Sequence, residues 1–270
     1  MAKISLFTIL TLCIVFSAQS APKADLWVYW DASNEGSVET ISHKAWERFL
    51  VKYASFVEPS SETRLVDYSS VTRSDHRELK GYILTLSQLD PRDFNRNEQF
   101  AYWVNLYNST TIDLILDNYP TTSITKLGGF FSFGPWDQDI ITIAGKRISL
   151  NDIEHRILRP IWNDNRIHYV VNCASIGCPN LPLSPISSLN LNEQLDSAAK
   201  EFINSDKALR FYGDKLILSK IYDWYSVDFG SFQELKTHLS HYLDKSKATV
   251  LKSFQGDVDY EYDWQLNDTN

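Results

Sequence analysis

The chemistry in this sequence gathers between Arg166 and Leu181, where an apolar, β-branched run leads into a loop holding Cys173 and Cys178. Fully extended, five residue steps place the two roughly 16 Å apart, and a disulfide needs Cα atoms within about 7 Å. Gly177 and Pro179 supply a turn that closes this gap. In an oxidising compartment two neighbouring cysteines form a structural disulfide more often than a catalytic pair. The competing chemistry makes Cys173 a nucleophile, which requires a base or a positive field to generate thiolate. His168 is near in sequence. With 166–172 read as a strand, however, positions 168 and 173 have opposite parity and project to opposite faces. His155 is the better base, and Asp152, three residues earlier on the same helical face, is placed to orient its imidazole. The arrangement to test is therefore Cys173–His155–Asp152. Its rival is a buried, satisfied His155 beside a first-turn Asp152 favoured by the helix dipole.

A zinc site built from Cys173, Cys178, His155 and His168 matches no strong ligand spacing, so no metal is expected. No cofactor- or phosphate-binding pattern occurs either. Asn105 and Asn108, three apart on a densely apolar helix, must find partners for their amides. They either tie down neighbouring loops or line a cleft. Of two glycosylation sequons, Asn108 lies mid-helix, and Asn267 near the tail is expected to be the accessible one.

These residues need elements to hold them. Apolar residues at helical spacing predict helices over 38–57, 75–89 (capped by Ser74 or Asp75), 97–119, 192–204 and 231–243. Hairpins are expected at 139–149 around Ala144-Gly145 and at 209–218 around Gly213-Asp214. Ser149 opens a short helix with Asp152 in a capping-box role, 166–172 reads as a strand, and an aromatic strand closes the chain near 259–264. Without strict β-α alternation, the fold class is α+β: one compact domain of amphipathic helices packed on short β-hairpins and antiparallel sheet.

Several stretches together resemble the domain of unknown function 547 family. They are Ala101–Asn108, Leu150–His155 with Ile157–Pro160, Arg166–Pro179, Ser219–Tyr225, Asp228–Gly230 and Tyr262–Asn267. The resemblance spans roughly residues 45–267, with Asn108-Ser109 standing where the family usually has Asn-Ala. It implies an exported bacterial domain rather than the plant form behind a coiled coil, and it brings no settled activity. Its motif positions fall on Trp103, Asn105, Tyr107, Asn108, Asn151, Glu154, His155, His168, Cys173 and Cys178, which makes them candidate binding or site residues.

The chain has 270 residues, 26 basic and 34 acidic, for a formal net charge of −8. This acidic balance argues against nucleic acid as a partner, since nothing would neutralise a run of phosphates. Met1-Ala2-Lys3, an apolar run from Ile4 to Phe16 and small residues at Ser17–Ala21 have the form of a signal peptide over residues 1–20, cut after Ser20. The run is too short to span a bilayer, so no transmembrane segment is expected in the mature protein. Localisation is accordingly periplasmic or secreted. Residues 21–38 read as a loosely held N-terminal segment and 39–270 as the domain. Two functions follow. One is thiol-dependent hydrolysis or acyl transfer by Cys173 with His155 as base. The other is a non-catalytic module binding a peptide, glycan or protein partner, stapled by a Cys173–Cys178 disulfide.

Overall fold

The computed structural model describes residues 21–56, 62–129 and 133–270. The signal-peptide reading of residues 1–20 lies outside them. The first helix, α1 (Lys44–Tyr53), buries Trp46, Phe49, Leu50 and Tyr53, the face its apolar spacing marks out. It runs into β1 (Ala54–Phe56), which pairs antiparallel with β2 (Arg64–Val66). Helix α2 (Arg73–Ser87) begins two residues earlier than its pattern suggests, because the Thr72 side chain accepts from the Asp75 amide at 3.2 Å. Helix α3 (Arg96–Asp117) is capped by Asn95 and is the centre of the molecule, buried on every side from Glu98 to Ile112. A helix enclosed all round cannot leave its polar side chains unpartnered. Asn105 accordingly exchanges two hydrogen bonds with the backbone of Ile186, at 2.8 and 3.0 Å.

The 139–149 hairpin forms as β3 (Ile141–Ile143) and β4 (Lys146–Ile148). Ser149 then starts a π-wound turn over Asp152–Leu158 that continues into α4 (Arg159–Trp162). Beyond α5 (Leu191–Asn204), β5 (Leu209–Tyr212) and β6 (Lys215–Ser219) make the second hairpin. Short helices α6 (Ile221–Trp224) and α7 (Ser226–Phe229) follow, then α8 (Phe232–Tyr242) with a full capping box from Ser231 and Glu234. Helix α9 (Lys245–Ser253), absent from the sequence reading, leads to β7 (Asp257–Glu261), which lies parallel to β6. Two hydrophobic clusters result. The larger surrounds α3, and the smaller packs α5, α8 and α9 against β5 and β6. Helices with short sheets make the domain α+β, and no described helix is long and apolar enough to cross a membrane.

Three expectations are corrected. Residues 166–172 form no strand. Asn165–Tyr169 is a 3₁₀ turn started by Asp164, whose carboxylate accepts from the Arg166 amide at 2.9 Å. An apolar run becomes a strand only beside another strand. Here the Asn108 side chain takes that place, donating to Val170 O and accepting from the Asn172 amide, both at 2.8 Å. The N-terminal segment is not loose: Trp30 is buried, and the amides of Asp25 and Trp27 bond to the carbonyls of His155 and Arg156. Asn267 is not accessible either. It is buried and accepts from Tyr68 Oη at 2.8 Å.

Candidate functional site

A cavity of about 550 Å³ opens beside the cysteine loop, and both cysteines line it. They are joined as a disulfide with Cα atoms 6.2 Å apart. The Asn172 side chain accepts from the Ala174 amide at 2.8 Å and helps Ala174 adopt φ +57°. The C-terminal tail then clamps the loop, as Ile176 and Gly177 donate to the carbonyls of Gln265 and Asp263. A Cβ on Gly177 would lie 2.8 Å from the Asp263 amide nitrogen, so only glycine fits without a shift. Tyr262 Oη lies 3.0 Å from Cys173 Sγ, 3.1 Å from Cys178 Sγ and 3.0 Å from Ser175 Oγ.

The floor is a buried polar network. Glu154 and His155 project from the π-wound turn, which ends just before Pro160. Having no N–H, Pro160 cannot donate to the carbonyls of His155 or Arg156. The amides of Asp25 and Trp27 supply the donors at 3.0 and 2.9 Å, which is why the N-terminal segment lies along this turn. Tyr107 donates to Glu154 Oε2 at 3.1 Å. Burial alone would raise the Glu154 carboxyl. The neighbouring histidines, His155 and then His168, with Tyr225 and Arg159, hold it below its ordinary value instead.

Arg159 is buried and grips Asp228 through two hydrogen bonds of 2.6 and 2.9 Å. It also donates to Pro22 O at 2.7 Å and to His155 Nδ1 at 3.0 Å. Burial lowers the His155 pKa against the opposing charge of Glu154, with Arg159 adding to the lowering, so the ring is read as neutral with Nδ1 accepting from Arg159. Burial opposes the Asp228 charge, yet hydrogen bonds from His168 and Arg159 hold its carboxyl far below the usual range. An ionised Asp228 fixes the His168 tautomer: Nε2–H donates to Oδ2 at 2.7 Å. Among the described residues His168 Nδ1 has no hydrogen-bond partner, and it lies 3.9 Å from Glu154 Oε1. The ring stacks on Tyr225, with centroids 4.0 Å apart. Above this floor stand Trp136, Trp224 and Trp264, with Trp264 central and 5.7 and 5.4 Å from the other two. Lys23, Asp137 and Lys220 are also in the lining.

Of the residues singled out from sequence, Tyr107, Asn151, Glu154, His155, His168, Cys173 and Cys178 all line the cavity. Trp103 does not. It is buried against Trp30, with centroids 5.2 Å apart. Asn105 and Asn108 tie loops to α3 rather than lining a cleft. Asp152 also lies outside the lining. Its carboxylate accepts from Ser149 and from Arg156, each at 2.9 Å, so the helix start employs it. Asp228, not Asp152, orients an imidazole. Arg159, Asp228, Tyr225, Tyr262 and the three tryptophans were missed as site residues, although most fall within the motif stretches at 157–160, 219–230 and 262–267. Among the described residues, His76, Asp113 and Asp117 are spaced to hold a metal ion, but Lys80 Nζ already sits 3.0 and 2.7 Å from the two carboxylates.

Fold and site together define a helical α+β domain with an aromatic-walled cavity over a buried Glu–His–Asp–Arg network. Residues 91–203 match the family described as "Protein of unknown function, DUF547", so the chain carries a DUF547-family domain. The matched stretch supplies Tyr107 through Pro179 of the cavity, while Lys220 to Tyr225 and Tyr262 to Trp264 come from beyond it. No curated protein and no solved structure matches the chain.

Proposed function

We propose that this chain is an exported binding module whose cavity receives a segment of peptide or glycan. In this reading the Cys173–Cys178 disulfide is a structural staple of the cavity wall. The observation that carries it is the state of the sulfurs: each is bonded to the other and in hydrogen-bond contact with Tyr262. A joined sulfur is no nucleophile. The tryptophan-rich wall suits stacking on sugar rings or apolar side chains. Export agrees with a disulfide and draws on the signal-like pattern at residues 1–20.

Thiol-dependent hydrolysis or acyl transfer is the second reading, favoured by His155 and His168 sharing the cavity with Cys173. It requires prior reduction of the disulfide, and the imidazole with an orienting carboxylate is His168, held by Asp228, whereas His155 Nδ1 is held by Arg159. Intact mass after alkylation, with and without reductant, separates the two. The binding reading expects two alkyl groups added only after reduction. Free thiols in protein recovered from the exported fraction would overturn it. Cys173→Ser should lower stability by about 2 kcal/mol, the loop-closure contribution of so short a ring. The same variant should still show quenching of tryptophan fluorescence by chitotriose or a short peptide, whereas loss of that response with the fold intact would count against a purely structural role.

A further inference from the structure

The cavity floor holds two groups, Glu154 and His168, that no described residue is seen to bridge. Glu154 and His168 are 5% and 3% exposed, and both line the cavity. Oε1 of Glu154 and Nδ1 of His168 are 3.9 Å apart, and Nδ1 has no hydrogen-bond partner among the described residues. With Nε2 facing the Asp228 carboxylate at 2.7 Å, Nδ1 is the ring nitrogen left towards Glu154, and in the neutral ring it presents a lone pair. Arg159 acts on Glu154 only through its field, because its hydrogen bonds go to Asp228, His155 and Pro22. Among the described residues no arginine or lysine forms an ion pair with Glu154, and a buried carboxylate without such a partner has room for a cationic guest. A nitrogen about 2.9 Å from each acceptor would span the gap with two of its hydrogens.

Resting on the binding reading above, we propose that the floor recognises a protonated primary amine, a lysine side chain or N-terminal amine of a peptide, through Glu154 Oε1 and His168 Nδ1. The bond to Glu154 is charge-assisted, and the bond to His168 satisfies an otherwise orphaned acceptor. The rings of Trp136, Trp264 and Tyr225 flank the carbon chain behind the ammonium and favour its positive charge through their faces. A sugar hydroxyl donates one hydrogen and leaves one acceptor unmet. A trimethylammonium group carries charge but donates none. Lys23 and Lys220 are exposed, where salt screens their repulsion of a guest.

The test titrates tryptophan fluorescence of the intact protein at pH 7.5 with four probes. Three are blocked tripeptides, acetyl-Gly-X-Gly-amide, with X lysine, trimethyl-lysine or norleucine, and the fourth is chitotriose. The proposal expects the lysine peptide to bind at least about tenfold more tightly than either of the other two peptides. Glu154→Gln should erase that preference while the norleucine peptide, binding through apolar contact alone, binds as before and reports an intact cavity. Equal affinity for lysine and norleucine, or for lysine and trimethyl-lysine, overturns the amine bridge. Tight binding of chitotriose alone overturns it too but leaves the binding module standing. Failure of all four probes removes both.

Discussion

At the scale of single residues, Arg159 carries more of this site than any side chain the sequence points to. One guanidinium holds Asp228 by two hydrogen bonds, His155 by a third and the Pro22 carbonyl by a fourth. Its planar fork allows all of these at once, which a lysine ammonium cannot reproduce. Arg159→Met would leave Asp228 ionised against His168 alone in a site that is mostly out of water. Breaking a buried pair from one side costs about 3–5 kcal/mol. Urea unfolding at pH 7.5 should therefore show a loss of that size for Arg159→Met and a smaller one for Arg159→Lys. Equal stability of Arg159→Met and the parent would mean that the Asp228 carboxylate is solvated, contrary to the network described.

At the scale of elements, the π-wound turn is positioned as much by a missing hydrogen as by any contact. Pro160 denies a donor to the carbonyls of His155 and Arg156, and the N-terminal segment supplies donors instead. Pro160→Ala restores an N–H at that position and lets the turn compete for its own carbonyls. The amides of Asp25 and Trp27 should then exchange with deuterium about tenfold faster, while the α3 amides keep their protection. Unchanged exchange at Asp25 and Trp27 would show that Pro160 is not what holds the segment. The same reasoning explains what could be read from sequence. The helices were legible because burial of one face writes a 3.6-residue period, as in Trp46, Phe49, Leu50 and Tyr53 of α1. The run 166–172 misled because composition records apolarity but not whether a partner strand exists, and Asn108 fills that role from 62 residues away. That error also hid the site. Once the strand became a 3₁₀ turn, the parity argument against His168 lapsed and the ring lined the cavity. The cysteine pair, His155 and Glu154 were legible from local motifs. The Arg159–Asp228 pair links positions 69 residues apart and belongs to tertiary structure alone.

At the scale of the whole molecule, two histidines outside the cavity couple stability to pH in both hydrophobic clusters. His43 accepts or donates at Nδ1 to Tyr82 Oη, 2.7 Å away beside α2, and burial lowers its pKa to about 4. His238 on α8 meets Tyr169 Oη at 2.8 Å, and burial, with His241 adding to it, lowers its pKa to about 4 as well. Each histidine has an ordinary value near 6.5 in the unfolded chain. Between pH 6.5 and 4 the unfolded chain therefore binds more protons than the native one, so stability falls as pH falls through that window. The size is about 2–3 kcal/mol for each ring, from shifts of this magnitude. Carboxylates act in a separate window. Asp228 and Glu154 have pKa values lowered by folding, so their contribution is present above about pH 4 and is lost only at more acid values. Urea unfolding at pH 7.5, 6, 5 and 4.5 should thus show a progressive loss that begins well above the carboxylate range. His238→Gln should remove that ring's share of the slope, since the amide can meet Tyr169 without taking up a proton, while His43 and the buried His155 keep theirs. A stability that stays level from pH 7.5 to 4.5 would mean the two rings protonate freely in the native state. In that case neither cluster excludes water from its histidine in the way the packing around Tyr82 and Tyr169 requires.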